Sequence, residues 1–185
     1  MNAALTSTLR VFDDRDGARP LIETTDRAEI AEILGRAGIV FEQWRAGVPL
    51  DIDSSSEEIL AAYAADVARI SAAGGYTTVD VLRLKRGTSE IDPIRRKFLS
   101  EHTHTEDEVR FFVEGDAAFY LRLGGRVYQT ICVRGDLISV PAGTTHWFDM
   151  GPDPQFCAIR FFQNTEGWTP HYTGDAIAAS FPLYE

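Results

Sequence analysis

Apolar residues follow two different spacings along the chain, and the change comes near residue 75. Before it, one candidate helix begins after Asp26, a typical N-cap, and a second follows the serine run at 54–56. On each helix the apolar side chains recur three or four positions apart and share a face: Ile30, Ile33 and Leu34 on the first, and Ile59, Leu60, Tyr63, Val67 and Ile70 on the second. Gly74 and Gly75 end the second helix. We therefore predict that residues 1–75 are mostly helical.

Beyond residue 75 the chain changes to short runs rich in β-branched and aromatic residues, separated by glycines. These runs predict strands: TTVDVLRLK, VRFFVEG, AAFYLRL, RVYQTICV, DLISVPAG and FCAIRFF. The pair Gly124–Gly125 between two of them predicts a tight hairpin. Six or more short strands with turns between them favour a mainly β fold, either a sandwich, a jelly roll or a barrel. We place this unit at 76–170 and expect 171–185 to be a C-terminal tail.

Composition places the chain among ordinary globular proteins with one domain. It has 185 residues, of which 44% are hydrophobic and 25% are charged. The 28 acidic and 18 basic side chains give a net charge of −10. This acidity argues against nucleic acid and anionic membrane surfaces as partners, because both attract clustered lysine and arginine. It is compatible with a soluble monomer.

Neither a membrane span nor a secretory signal is expected. No stretch approaches the roughly 20 apolar residues that a bilayer span needs. The first residues show no positively charged segment followed by an apolar core. Cys132 and Cys157 both lie in apolar runs, so two buried, reduced thiols are a better interpretation than a disulfide. We therefore expect a cytoplasmic protein.

Three of the four histidines fall in two compact motifs. The first motif is His102-x-His104-x₃-Glu108, and the second is Gly-x₅-Pro-x-Gly-x₂-His, which ends in His146. Residues two apart on a strand point to the same face, so His102 and His104 project together. A turn or bulge at 105–107 would return Glu108 to that face, and the Pro-x-Gly turn would place His146 on a neighbouring strand. The pattern predicts three imidazoles and one carboxylate around one point.

That ligand set is typical of a divalent first-row ion such as Fe(II), Ni, Mn or Co. A structural zinc site is more often closed and contains cysteine. An octahedral ion with four protein ligands keeps two positions open, either for two substrate oxygens or for substrate and O₂. A lone His-x-His is usually just a polar strand face, but the joint spacing of both motifs favours metal binding.

The two motifs resemble those of the cupin superfamily, whose fold is a double-stranded β-helix or jelly-roll barrel. They depart from that pattern at two turn positions, where Arg96 replaces a glycine and Met150 replaces an asparagine. Within the cupins, FLSEHTHTEDEVRFFV at 98–113 and PAGTTHWFDMG at 141–151 are similar to the acireductone dioxygenase family. The stretch at 160–168 is similar as well, so the resemblance extends over most of the chain.

The resemblance implies a cupin barrel preceded by helices, with one Fe(II) or Ni(II) ion per chain bound by His102, His104, Glu108 and His146. The implied substrates are O₂ and a small-molecule acireductone, 1,2-dihydroxy-3-oxo-5-(methylthio)pentene, which the family cleaves in methionine salvage. With Fe(II) the products are formate and 4-methylthio-2-oxobutanoate. With Ni(II) some members give formate, carbon monoxide and 3-(methylthio)propanoate.

The resemblance also implies roles for residues around the ligands. Arg110 corresponds to an arginine near the substrate, which we expect to act as a charge clamp first and as a proton shuttle second. Glu101 and Asp107 correspond to positions that support the metal site. The implied substrate pocket has four members: Phe98, Phe148, Arg160 and Trp168.

Simpler interpretations remain open for these residues and for the whole chain. Arg110 could be an outward salt-bridge residue, Glu101 and Asp107 could be solvated carboxylates, and the aromatic residues could be plain core. His171 has no motif around it and is interpreted as a surface residue. The chain could also be another metal-dependent cupin, such as a different dioxygenase or an isomerase, or a non-catalytic metal-binding module, since a fold does not fix a function.

Overall fold

The computed structural model of the chain describes residues 5–45, 50–51, 53–164 and 169–185. The strands within these ranges are β1 Thr8–Asp13, β2 Ile22–Thr24, β3 Val40–Gln43, β4 Thr78–Leu84, β5 His102–Thr103, β6 Glu108–Glu114, β7 Asp116–Leu123, β8 Arg126–Val133, β9 Asp136–Val140, β10 Thr145–Asp149, β11 Phe156–Phe162 and β12 His171–Tyr172. The helices are α1 Arg27–Arg36, α2 Ser56–Ala62, α3 Ala64–Gly74 and α4 Ile91–Phe98, followed by a 3₁₀ helix at Ile177–Ser180.

The strands form two antiparallel sheets that face each other. One sheet has the order β12-β5-β10-β7-β8-β1-β2, and the other has the order β3-β9-β6-β11-β4. An apolar core lies between them and includes five buried phenylalanines: Phe41, Phe112, Phe119, Phe148 and Phe156. The prediction of a mainly β fold is therefore confirmed.

Strand β6 runs through the middle of the five-stranded sheet and is buried on both faces. Glu108, Arg110 and Phe112 alternate along the face that looks into the space between the sheets. The residues between them pack on the other face, beneath α2 and α3: Val109, Phe111 and Val113. A strand covered on both sides has no polar alternation, which explains the run VRFFV in the sequence.

The described part of the first 75 residues contains the predicted helices together with three strands. Asp26 caps α1 by accepting from the backbone N–H groups of Ala28 and Glu29. The second predicted helix is divided at Tyr63 into α2 and α3, and Gly75 ends α3 with a φ of 68°. None of the helices in the described ranges is long and apolar enough to cross a membrane.

Strands β1 and β3 were not expected, and each belongs to one of the sheets. β1 pairs with β8 along its whole length, and β3 pairs with β9. The region expected to be a helical elaboration therefore also supplies strands to both sheets of the barrel.

Two glycine turns fix the register of the strands beside the site. Gly124 and Gly125 join β7 to β8 with φ values of 56° and 75°, which confirms the predicted hairpin. Gly115 turns the chain between β6 and β7 with a φ of 70°, and a Cβ atom there would lie 1.9 Å from the carbonyl oxygen of Gln155. Only glycine fits that turn without a shift of the backbone.

Residues 171–185, expected to be a tail, pack against the barrel. Strand β12 pairs with β5 and places Tyr172 opposite His102. Phe181 is buried against the rings of Phe12 and Trp147. The backbone N–H of Tyr184 donates to Asp149 at 2.9 Å. This segment therefore forms part of the wall around the histidine motifs.

Candidate metal centre

Strand register brings the four predicted ligands to one place. His102 on β5 lies directly opposite His146 on β10, while Glu108 is the first residue of β6. His104 lies in the connection between β5 and β6. One ligand atom from each of the four residues can be chosen so that all lie within 4.8 Å of one another. All four side chains are buried, so the group forms a compact interior cluster.

Backbone carbonyls orient the three imidazole rings. Nδ1 of His102 lies 2.7 Å from the carbonyl oxygen of Ser100, and Nδ1 of His146 lies 2.8 Å from that of Thr144. Nδ1 of His104 lies 3.0 Å from the carbonyl oxygen of Thr169. A carbonyl only accepts, so each Nδ1 carries the proton and donates. Such outer contacts leave Nε2 as the ligand atom of each ring.

Glu108 lies at the centre of this group. Its Oε2 is 2.9 Å from Nε2 of His146 and 3.2 Å from Nε2 of His104, and its Oε1 is 2.8 Å from the guanidinium of Arg110. Burial opposes ionisation, but Arg110 and the two histidines outweigh it and hold the pKa of Glu108 well below its usual range. The carboxyl group is therefore an anion.

This donor set fits a divalent cation. In His104 and His146, Nδ1 donates to a carbonyl and Nε2 faces the Glu108 carboxylate. A ring that is protonated only at Nδ1 would turn a lone pair toward that carboxylate. Each contact therefore requires positive charge between the two groups, as a second ring proton or a metal ion. Burial lowers the pKa of His102 to about 4, with a smaller contribution from His146, so this ring is neutral and its Nε2 offers a lone pair. Three imidazoles and one carboxylate suit first-row divalent ions.

Arg110 lies against the cluster and faces inward, not outward to solvent. Only 3% of its surface is exposed, and its guanidinium carbon lies 4.4 Å from the ring centroid of Phe148 and 5.4 Å from that of Phe119. Two aromatic faces and the Glu108 carboxylate thus compensate the burial of this cation.

Comparison with known proteins agrees with this geometry. Residues 8–170 match the model of the ARD/ARD' family. The chain belongs to this family.

Relatives match nearly the whole chain. An acireductone dioxygenase of Parvibaculum lavamentivorans is 56% identical over 177 residues, which cover 96% of each chain. One from Prochlorococcus marinus is 54% identical over 164 residues, 89% of each chain. A solved structure, described as acireductone dioxygenase from Bacillus anthracis with a cadmium ion in its active centre, gives a TM-score of 0.81 at 32% identity and covers 92% of this chain and 100% of that one.

Membership in the ARD/ARD' family confirms three predictions. The fold is a cupin fold, the chain is an enzyme, and its function is that of an acireductone dioxygenase. The predicted group of three histidines and one glutamate forms a metal-binding site, and the related structure from Bacillus anthracis holds a metal ion in its active centre.

Glu101 and Asp107, which the resemblance to the ARD/ARD' family singled out as supports, contact the segments around the ligands. Glu101 is 2% exposed and accepts from Arg122 at 3.3 Å and from the Thr173 hydroxyl at 2.6 Å. Asp107 accepts from the backbone N–H of Ala142 at 3.0 Å and from the Tyr76 hydroxyl at 3.1 Å. Glu101 thus binds the C-terminal segment, and Asp107 binds the turn that precedes His146.

A cavity of about 260 Å³ opens onto the metal site. Phe98, Phe148 and Arg160 line it, as the family resemblance implied, while Trp168 lies outside the described residues. Arg160 is bound to Asp80 by two hydrogen bonds of 2.8 and 2.6 Å. His171 is exposed on β12, in agreement with its interpretation as a surface residue.

Four further residues line this cavity and were missed in the sequence: Lys97, Phe162, Pro170 and Tyr172. Phe162 was hidden because it ends a strand whose residues, apart from Arg160, are apolar and buried. Pro170 and Tyr172 reach the site only through the pairing of β12 with β5, for which a strand of two residues gives no periodic signal. Lys97 lies on α4, a helix that the sequence analysis did not predict.

Proposed function

We propose that this chain cleaves 1,2-dihydroxy-3-oxo-5-(methylthio)pentene with O₂ as a step of methionine salvage. With Fe(II) bound, the products are formate and 4-methylthio-2-oxobutanoate. With Ni(II) bound, they are formate, carbon monoxide and 3-(methylthio)propanoate. The observation that carries this proposal is one cavity that presents metal ligands, a buried arginine and aromatic rings on the same wall.

One Fe(II) or Ni(II) ion per chain, held by His102, His104, Glu108 and His146, would supply Lewis-acid activation of the enediol and reactivity toward O₂. Both ions accept the same imidazole and carboxylate ligands, so we infer that the metal supplied decides which products form.

Arg110 provides fixed positive charge beside this centre. An arginine stays cationic at any useful pH, which suits it to bind an enediolate oxygen and makes it a poor proton acceptor. Its guanidinium already lies 2.8 Å from Glu108 and faces the ring of Phe148. We therefore assign it the role of a charge clamp first and of a proton shuttle second.

The aromatic wall suits the methylthio end of the substrate. Phe98 and Phe148 meet edge to face with ring centroids 6.0 Å apart, and Phe162 also lines the cavity. Aromatic rings make favourable contacts with thioether sulfur, which suits the methylthio end of the substrate. They also exclude water from the enediol end, where the reaction takes place. The family resemblance also implies Trp168 as a pocket residue, and Arg160 contributes its stem while its head group binds Asp80.

Glu101 and Asp107 support the site without being ligands in this proposal. Each fixes a segment that carries an orienting carbonyl or a ligand, through the contacts of Glu101 with Thr173 and of Asp107 with Ala142. We also place the enzyme in the cytoplasm, because Cys132 and Cys157 are free and buried, which suits a reducing compartment.

Product analysis with defined metals tests the proposal. The purified protein is stripped of metal, reloaded anaerobically with Fe(II) or Ni(II), and mixed with acireductone and O₂ while the enediol absorbance is followed. We expect metal-dependent loss of absorbance, with formate in both samples and carbon monoxide in the nickel sample alone. A metal-loaded protein that leaves the spontaneous oxidation rate unchanged would contradict the substrate.

A further inference from the structure

A second, more open cavity of about 770 Å³ adjoins the cavity at the metal site. The two cavities share two lining residues, Lys97 and Tyr172. Lys97 lies in the last turn of α4, and Tyr172 lies on β12. The boundary is therefore formed by the helix before the first histidine motif and by the last strand of the sheet. Both side chains are exposed. A small molecule that moves from solvent toward the ligands through the open cavity passes between them.

Lys97 differs from the other cations of the inner cavity. Arg110 is paired with Glu108 at 2.8 Å, and Arg160 is bound to Asp80 at 2.6 and 2.8 Å. Within the described ranges, Lys97 has neither an ion pair nor a hydrogen bond from its ammonium group. Among the described residues that line this cavity, Lys97 therefore carries the lysine or arginine charge that no carboxylate neutralises.

The rest of the molecule repels such an anion. The chain carries a net charge of −10, and an enediol conjugated to a ketone is acidic enough to arrive as an anion at neutral pH. A local positive charge at a concave opening focuses the field and raises the local concentration of anions.

We propose that Lys97 is a positioning residue that attracts the anionic acireductone at the mouth of the metal cavity and selects for anionic substrates. This inference rests on the proposed substrate. Lys97 acts on capture of the substrate, whereas the chemical step belongs to the metal ligands and Arg110. Its removal therefore changes kcat/KM and leaves kcat in place.

The test compares Lys97→Met with Lys85→Met and Lys97→Arg in the Fe(II)-loaded enzyme. The chain has two lysines, and Lys85 is exposed and bound to Asp53 at 2.7 Å, away from both cavities. Both methionine variants change the net charge by the same amount, so Lys85→Met controls for the charge of the whole molecule. Steady-state kcat and KM are measured for each protein at several ionic strengths.

We expect Lys97→Met to lower kcat/KM by about 3- to 10-fold at low salt with kcat unchanged, and to flatten its dependence on ionic strength. Lys97→Arg should keep a kcat/KM near that of the wild type. Lys85→Met should match the wild type both in kcat/KM and in its dependence on ionic strength. Equal kcat/KM values and salt slopes for the two methionine variants would overturn the inference, as would a loss confined to kcat. The wild-type rate is read separately. If the wild type does not turn over acireductone, both the proposed function and this inference fail; if it does, the Lys97 variants alone decide.

Discussion

The inner wall of the cavity and its mouth are built in different ways. The inner wall consists of buried side chains on β5, β6 and β10 and in the connection between β5 and β6. Each ring and the carboxylate are held by a carbonyl or a guanidinium at 2.7–3.0 Å. The mouth consists of the end of α4 and the segment after 168, where Lys97 and Tyr172 are exposed. The wall therefore fixes the metal chemistry, while the mouth governs which molecules reach the metal.

Removing the central carboxylate should have the largest effect. Glu108→Gln takes away the only carboxylate in the ligand group and leaves neutral nitrogen and oxygen donors around the ion. Mutation of a residue that only hydrogen-bonds to a metal ligand already lowers metal affinity by about 10- to 100-fold. Loss of the ligand itself should therefore lower metal affinity by more than about 100-fold and remove turnover. Metal content after dialysis and O₂ uptake measure both effects.

Glu106→Gln is the matched control for that variant. Glu106 is also buried, but it accepts from the backbone N–H of Gln163 at 3.0 Å, and a glutamine side-chain oxygen can keep that bond. We expect normal metal content for Glu106→Gln. Equal metal content in the two variants would show that Glu108 is not a ligand.

Arg110→Gln should have the next largest effect, on turnover more than on metal content. Loss of one fixed charge aimed at a developing anion typically costs about 10²- to 10³-fold in kcat. Arg110→Lys restores a charge without the planar fork, so we expect an intermediate rate. Single-turnover rates of the metal-loaded variants measure this. A normal rate for Arg110→Gln would show that Arg110 does not act as a charge clamp.

Asp107→Ala should lower metal affinity by about tenfold, because the turn before His146 loses its hydrogen bond to Asp107. Tyr76→Phe removes only the second contact of Asp107, the one at 3.1 Å, and should bind metal almost normally. Competition with a chelator gives both affinities. If both variants lose affinity equally, the contact with Ala142 is not what supports the site.

Thr173→Val should have the smallest effect, since it acts at the mouth. It removes the hydroxyl that donates to the Glu101 carboxylate at 2.6 Å, and a hydrogen bond to a charged group is worth about 1.5–3 kcal/mol. For a chain of this size each 1 kcal/mol shifts Tm by about 2–4 °C. Calorimetry should show that decrease while metal content stays unchanged. A loss of metal binding would instead show that the C-terminal segment helps to hold the metal ligands in place.

The same division explains what the sequence could predict. The four ligands were predictable because the short spacing of the first motif keeps His102, His104 and Glu108 together. The Pro-x-Gly turn precedes His146, which lies on the strand beside His102. The cap at Asp26 and the hairpin at Gly124–Gly125 are local in the same sense.

Features that depend on distant pairing escaped prediction. Strands β1 and β3 gain their stability from β8 and β9, more than 90 residues away along the chain, and their own sequences are short. Tyr63, at the break between α2 and α3, packs edge to face on Phe111 with ring centroids 4.9 Å apart, a contact between residues 48 positions apart. Tyr172 and Lys97 reach the cavity only after the C-terminal segment and α4 have docked. Tertiary contacts decide such positions, and local patterns do not reveal them.

The most direct test of the central claim is a titration of the metal-free protein with Fe(II), scored by the initial rate of acireductone-dependent O₂ uptake. If His102, His104, Glu108 and His146 form the one functional site, the rate rises linearly to one equivalent of Fe(II) per chain and then stays constant, and Glu108→Gln shows no such rise. O₂ uptake above the spontaneous rate without added metal, or the same break point in Glu108→Gln, would contradict this assignment of the site.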